Sequence, residues 1–593
     1  MPSALADIAH LGNESVGTSA APWVLVAILG LFVLLAHNRI APVRLFLTLA
    51  AGFYLLGWID LERFLQSYVN PAVMTLMLLL LVGVVLEKTT WVRTLSRHLF
   101  HTSLRQTYAR MGLWVGVSSA FLNNTAVVSG LLSAAKNNPH HAPSKVLMPM
   151  SYIAIFGGTL TLVGTSTHLI LNGLLVQAGE APLALLDFLY VGAALLLVGL
   201  GVILLLAPKL LPEQKDSATQ PPAYFMEAKV TPGSTIIGKT VQNANLRQLQ
   251  SVFLVEIIRG EQVLAPVSPS EVIQPNDRLL FSGDMDSAMQ LKTLPGVTLP
   301  GLVKNLSTDN LSEVVVSHNA VLVGQTLKSA NFRNKFNAAV IAINRGQERL
   351  TGKLGDIVLQ AGDKLLLATG SDFFGRENLS KNFYFVTPRP INHPLSVAQS
   401  VLAGTGFILV LLASALDWIN LFSGLLVLLG TFIALRWASF AEVKRRLPMD
   451  LMLIIGSALV VAEVMRTSGA AQLIVETAMP FFMQYGAWGA FIGVYLLTLV
   501  LTETVTNNAA AALVFPVALA TAQTMDANLV PFVLAVAYGA SASFLTPYGY
   551  QTNLMVYTPG QYRFLDYVRM GLPVSVVYSF TVLTLTPMVF PLT

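Results

Sequence analysis

Two asparagine pairs, Asn123-Asn124 in "FLNNTAVV" and Asn507-Asn508 in "VTNNAAAA", stand inside strongly apolar stretches. An amide left unpaired in hydrocarbon is costly, so each pair must bond within the protein or face a polar ligand. Asn brings a donor and an acceptor on one side chain, and Thr125, Thr165, Thr167 and Thr552 add hydroxyls. At a hairpin tip or a break in a helix, these groups sit beside free backbone N–H groups, which attract anions. The free carbonyls of the same break coordinate small cations. The structural alternative is that the amides cap hairpin tips or join helices, as polar residues in membranes do.

The rest of the chain says what must hold these residues. Of 593 residues, 54% are hydrophobic and 11% charged, where a soluble globular chain has roughly 25% charged residues. That composition specifies a polytopic α-helical membrane protein. There is no cysteine, which removes disulfides, thiolate metal sites and Cys nucleophiles. No HExxH or Walker pattern replaces them, so an enzyme is not expected. The net charge of +5 comes from basic residues in short loops between apolar runs, which fits membrane topology and not nucleic acid binding. The opening stretch "MPSALADIAHLGNESVGTSA" lacks the basic start and apolar centre of a signal peptide. With the absence of cysteine, this fits a bacterial inner membrane.

Apolar runs suited to spanning lie near 23–37, 45–60, 72–87, 146–175 and 188–208, and again near 395–415, 421–435, 449–465, 532–556 and 571–590. The runs 111–135 and 487–520 hold the Asn pairs and read as re-entrant hairpins. That reading puts Arg39, Arg44, Lys88, Arg93, Arg97, Lys136, Lys145, Arg436, Lys444, Arg563 and their basic neighbours on one face, and only Arg63 and Arg466 opposite. The crowded face is then cytoplasmic, with the segment 209–394 on it. Past each Asn pair the chain reaches "TLVGTSTHLIL" (161–171) or "TPYGYQTNLMV" (546–556). Thr161, Gly164, Thr167 and Leu169 align there with Thr546, Gly549, Thr552 and Leu554. The first hairpin opens inward and the second outward, so the halves read as two inverted repeats, each with a re-entrant hairpin and a broken helix.

The central segment is a tandem repeat. A shift of 86 residues (313 minus 227) matches Glu227 with Glu313, Gly238 with Gly324, Arg247 with Arg333, Arg259-Gly260 with Arg345-Gly346, and Asp277 with Asp363. "PGSTIIGKTVQNANLR" followed by "VIQPNDRLLFSG" resembles the TrkA-C domain, the C-terminal part of RCK units on potassium transport proteins. The expected organisation is an N-terminal tail 1–22, a first transmembrane repeat 23–208, two small α+β TrkA-C-like domains at 209–300 and 301–394, and a second transmembrane repeat 395–593. No Gly-rich dinucleotide fingerprint occurs, which leaves two roles open for these domains: a dimer-stabilising body, or a sensor binding a nucleotide regulator.

No Lys or Arg occurs in 111–135, 146–208 or 487–560. An anion bound there needs dipoles and a co-transported cation for compensation, and sodium suits a site of carbonyls, amides and hydroxyls. "SSAFLNNTAVV", "GGTLTLVGTSTHLILNG", "TNNAAAALVFP" and "SASFLTPYGYQTNLMVY" resemble the divalent anion–sodium symporter family, in its branch with two inserted TrkA-C domains. The resemblance implies a homodimer carrying its substrate by an elevator-like movement. It also implies substrate contacts at Asn123, Asn124, Thr125, Asn507, Asn508 and Thr552, and sodium near Asn124, Gly164, Thr165, His168, Asn508, Gly549 and Asn553.

The sequence departs from the family signature. The leading Ser of each hairpin tip is Asn123 or Asn507, and Ala509 replaces the second Thr. This favours an inorganic oxyanion over carboxylates. His168 stands where the second half has Asn553; it either repeats the Asn hydrogen bond or makes transport pH-sensitive. Glu503, four residues before Asn507, either favours an ion or sits at a wet hairpin mouth. Glu87 and Glu463 read as interface markers, and His140-His141 as a solvated loop.

The leading reading is a sodium-coupled symporter of a divalent oxyanion, with sulfate first, embedded in lipid. The runner-up moves dicarboxylates such as succinate or citrate. An RCK-gated ion channel is the alternative of another class, opposed by the lack of a TVGYG-type filter.

Overall fold

A computed structural model describes residues 20–36, 42–86, 88–89, 99–213, 224–246, 252–260, 262–283, 297–302, 311–317, 320–346, 348–350, 354–370, 372–376, 379–386, 395–447, 449–478 and 480–593. Arg39, Glu87, Arg93, Arg97, Arg247 and most of the tail 1–22 lie outside the described residues.

The first helical part comprises α1 (Ala21–Ala36), α2 (Pro42–Leu55), α3 (Leu61–Tyr68), α4 (Pro71–Leu86), α5 (Leu104–Phe121), α6 (Asn124–Lys136), α7 (Pro143–Gly158), α8 (Ser166–Gln177) and α9 (Leu189–Leu210). Strands β1 (Tyr224–Val230), β2 (Val252–Arg259), β3 (Gln262–Leu264), β4 (Arg278–Gly283), β5 (Val297–Leu302) and β6 (Leu311–Val316) follow. Then come α10 (Phe332–Phe336), β7 (Ala338–Arg345), β8 (Glu348–Leu350), β9 (Lys364–Thr369), α11 (Leu379–Asn382) and β10 (Phe383–Phe385). The second helical part is α12 (Val397–Ala415), α13 (Leu421–Ala434), α14 (Phe440–Arg446), α15 (Met449–Thr467), α16 (Ala470–Ala478) and α17 (Pro480–Met483). It ends with α18 (Gly486–Thr504), α19 (Asn507–Thr524), α20 (Leu529–Ser541), α21 (Gln551–Tyr557) and α22 (Phe564–Val589).

Among the described residues, five helices are long and apolar enough to cross a membrane, or six if Met452–Thr467 and Ala470–Thr477, bent by 68°, form one span. One of the five is α18, an arm of the second expected hairpin. The runs 146–175 and 532–556, where a broken helix is expected in each half, each split in two, with non-helical stretches between α7 and α8 and between α20 and α21. Both Asn pairs stand at further breaks, where α5 gives way to α6 and α18 to α19. The order helix, break, helix, helix, break, helix, long helix therefore occurs twice, and the closing helices α9 and α22 pack on each other.

Breaks inside apolar surroundings need partners for the freed backbone groups. In α7, Pro149 cannot bond the Lys145 carbonyl, and the Tyr108 hydroxyl donates to it instead at 2.7 Å. The Tyr152 hydroxyl donates to the Phe544 carbonyl at 2.7 Å, and Thr502 to the Ala540 carbonyl at 2.7 Å.

The ten strands form two five-stranded antiparallel sheets of the same connectivity, β3-β2-β4-β1-β5 and β8-β7-β9-β6-β10. Their side chains repeat as well: Arg259 grips Asp277 and the Val272 carbonyl as Arg345 grips Asp363 and the Val358 carbonyl. The units meet where Val255 of β2 packs with Ile341 and Ala368. Each also has its own apolar core, around Ile257 and Phe281 in the first and Phe336 and Phe383 in the second.

Candidate functional site

The break before α6 begins with a cap. Asn123 Oδ1 accepts from the Thr125 backbone N–H at 2.9 Å, satisfying one of the donors that every helix start leaves open. Asn123 thus takes the capping role, while the two residues after it reach across the molecule. Asn124, 3% exposed, donates its side-chain amide to the Tyr550 hydroxyl at 2.7 Å. Thr125 Oγ1 donates to Gln551 Oε1 at 2.9 Å. The Asn124 side-chain oxygen is buried without a hydrogen-bond partner. It packs on Gly158, where an added Cβ would lie 2.6 Å from it.

The second tip does the reverse. Asn507 opens α19 and is half-buried, and Asn508 Oδ1 accepts from Ser166 Oγ at 3.1 Å and Thr167 Oγ1 at 3.2 Å. Each Asn-pair break therefore bonds to the turn of the opposite half, and the halves are crossed at this point.

The two turns share a device. Thr161 Oγ1 accepts from the Gly164 N–H at 3.1 Å, and Thr546 Oγ1 accepts from the Gly549 N–H at 3.2 Å. Both glycines are required by close packing, since a Cβ on Gly164 would meet the Gly158 carbonyl at 2.5 Å and one on Gly549 the Thr502 carbonyl at 2.9 Å. Thr165 stands at the N-cap position of α8 without a side-chain capping bond, and its hydroxyl reaches the Tyr550 hydroxyl instead. Thr552 and Asn553 are fully buried on α21. The Ser151 hydroxyl lies 2.8 Å from Thr552 Oγ1 and 2.7 Å from Asn553 Oδ1, while Asn553 Nδ2 donates to the Ser543 carbonyl at 2.8 Å.

His168 is buried and stacked on Phe188, ring centroids 4.0 Å apart. Its Nδ1 lies 3.0 Å from the Thr161 carbonyl, so the proton sits there, and Nε2 has no partner. The Glu503 carboxylate accepts the backbone N–H groups of Phe544 and Leu545 at 2.9 Å and of Thr546 at 3.1 Å. It closes the unwound stretch after α20.

Arg63 and Arg466 both pair with Glu463, at 3.1 Å and 2.7 Å, which ties α3 to α15 away from the crossed tips. His141 Nε2 contacts the His101 carbonyl at 2.7 Å. No group of three or more metal-ligating His, Cys, Asp or Glu side chains occurs among the described residues.

The sequence pattern did not single out Tyr550, Gln551, Ser151 or Ser166. Tyr550, Gln551 and Ser166 adjoin the matched turn residues, and their polar groups beside a Gly-Thr element were the available signal. Ser151 lies in a helix with no such mark.

The crossed geometry joins oxygens, amides and hydroxyls from both halves, a set of donors and acceptors that suits binding and release of small ions. Comparison with known proteins agrees. The model of the citrate transporter family (CitMHS) matches residues 18–537. A Chlamydomonas reinhardtii protein named "Putative sulfur deprivation response regulator" is 30% identical over 88% of this chain and 93% of its own length. An uncharacterized transporter of Synechocystis sp. is 29% identical over 88% of this chain and 90% of its own. Sodium/sulfate cotransporter 1 of Chlamydomonas reinhardtii is 29% identical over 61% of this chain and 42% of its own. The chain belongs to the citrate transporter family, and is an integral membrane transporter rather than an enzyme.

Proposed function

We propose that the protein is a sodium-coupled symporter of a divalent oxyanion, sulfate first, working by elevator-type alternating access. The observation that carries this reading is the crossing of the tips, Asn124 to Tyr550 and Asn508 to Ser166 and Thr167. A substrate held between tips that bond to opposite halves is exposed to one side only when one tip leaves its turn. Asn123, Asn124, Thr125, Asn507, Asn508 and Thr552 are the substrate set. The unpartnered Asn124 oxygen, beside Gly158 on which Gly164 packs, fits a small cation that takes oxygen ligands. Sodium is therefore assigned there, with Thr165 and His168, and at the matching Asn508, Gly549 and Asn553. The names of the sodium/sulfate cotransporters support both ions.

The two helical parts are read as inverted repeats with re-entrant hairpins, and the two sheets as TrkA-C domains on the cytoplasmic side of a bacterial inner membrane. Homodimerisation completes the reading; the sheets serve either as a dimer-stabilising body or as the site of a nucleotide regulator, and His168 and Glu503 are where pH or ion modulation would act. Membership of the citrate transporter family favours one second reading, a citrate-like or dicarboxylate substrate.

Uptake of radiolabelled sulfate into proteoliposomes, with and without an inward sodium gradient, tests this for the wild type and Asn124→Ala. Sodium-driven uptake lost in the variant and unaffected by succinate or citrate is expected. Uptake of succinate or citrate in place of sulfate would replace the substrate, and a sodium-independent saturating flux would remove the coupling.

A further inference from the structure

The second sheet unit holds the far ends of the same two helices whose near ends make the first crossed tip. Helix α6 begins at Asn124 and ends at Lys136. Lys136 Nζ ion-pairs with Glu313 of β6, which also pairs with Lys364 of β9 at 3.2 Å. Helix α21 begins at Gln551, and Thr558 just past its end donates from Oγ1 to the Gly362 carbonyl at 2.7 Å. Val315, Tyr384 and Val386 of the unit are buried in the same apolar cluster as Val128, Leu131 and Val556 of the two helices.

The duplicated fold supplies its own control. The first unit has the matching pair, Glu227 with Arg278 at 2.6 Å, and the matching turn residue, Asn276 at positive φ. There the face is open: the Arg278 side chain is 49% exposed against 20% for Lys364, and Asn276 is exposed where Gly362 is buried. At Gly362, φ is +86° and a Cβ would come within 2.7 Å of Leu554 Cδ1, so a side chain here is strained and must displace Leu554 of α21. One copy of the repeat is thus shaped to the helices and the other is not.

We propose that the second sheet unit is a positioning element of the transport site, with Glu313, Gly362 and Thr558 as positioning residues. The inference rests on the crossed tip being that site. At about 1.5 Å per residue, α6 with its 13 residues is a rod of about 20 Å and α21 with its 7 is one of about 10 Å, and each carries a displacement at one end to the other. The bonds from Asn124 to Tyr550 and from Thr125 to Gln551 form only while α6 and α21 keep their relative position. The unit fixes that position from the opposite ends.

The full chain in proteoliposomes provides the test. Because the chain has no cysteine, a single Thr125→Cys thiol reports opening of the tip by its rate of maleimide labelling, with no substrate present. Thr558→Val removes one hydrogen bond and is expected to speed labelling about three- to tenfold, and Gly362→Ala, which displaces Leu554 of α21, is expected to speed it as well. In the cysteine-free background they are expected to raise the half-saturating sulfate concentration by the same factor, with little change in maximal rate. Thr558→Ser keeps the donor and is expected to restore both values.

Unchanged labelling and half-saturation in the folded variants would overturn the inference, as would failure of Thr558→Ser to rescue. Faster labelling in a protein that carries no sulfate would support the positioning role and discard the substrate assignment alone.

Discussion

Asn124 and Tyr550 come from opposite halves of the chain, yet the Asn124 amide donates to the Tyr550 hydroxyl at 2.7 Å in a buried setting. Replacing Tyr550 by Phe leaves that donor unpaired, which costs about 1–3 kcal/mol. Since about 1.4 kcal/mol is a tenfold change in affinity, Tyr550→Phe is expected to raise the half-saturating substrate concentration roughly tenfold. Asn124→Ala and Tyr550→Phe act on one contact, so the double variant is expected to fall short of the sum of the singles. Uptake kinetics of Tyr550→Phe check the first statement, and thermal unfolding of the wild type, the two single variants and the double variant checks the second.

Glu503 separates a structural from an ion-carrying role. Its carboxylate accepts three backbone N–H groups, and bonds to a charged acceptor are worth about 1.5–3 kcal/mol each. Glu503→Gln is expected to lower the thermal midpoint by several degrees and slow uptake at every sodium concentration. The steepness of the sodium dependence is expected to stay the same. A changed Hill coefficient for sodium would assign the carboxylate to coupling.

Tyr108 holds the carbonyl that Pro149 leaves free, at 2.7 Å from Lys145 O. Tyr108→Phe is expected to destabilise the protein by about 1–2 kcal/mol, the cost of an unpaired buried acceptor. Sulfate affinity is expected to stay at the wild-type value, because the contact lies away from the tips. Thermal unfolding in detergent measured beside uptake tests the separation.

The link between the second sheet unit and α6 predicts a pH dependence. Burial pushes the Glu313 carboxyl up, but Lys364 and Lys136 outweigh it and hold the group below its ordinary value. A carboxyl depressed in the folded state adds stability above its unfolded pKa of about 4.3, and loses it as pH falls through the folded value. The thermal midpoint is expected to fall as pH drops from about 5 toward 3. Lys136→Met is expected to lower the midpoint at neutral pH and leave a smaller drop on acidification.

Several features stood in the sequence because they are local. An Asn pair after an apolar run marks a helix restart, and both restarts occur where the pairs stand. The 86-residue shift reappears in the bridges Thr240 to Val272 and Thr326 to Val358. The breaks within 146–175 and 532–556 stood in the sequence through the matched Gly-Thr turns, but not the partners that satisfy them, because those partners come from distant helices.

By itself the sequence determined a polytopic helical membrane protein with paired polar breaks and a duplicated sheet domain, since composition, residue type and internal spacing are properties of the linear chain. Only the tertiary structure decided that Asn124 meets Tyr550, that Glu503 closes a backbone stretch, and that the second sheet unit, not the first, grips α6 and α21. The reason is that membrane helices are apolar on all sides, so no amphipathic face announces which helix each will touch. Which polar groups meet depends on how those featureless faces pack.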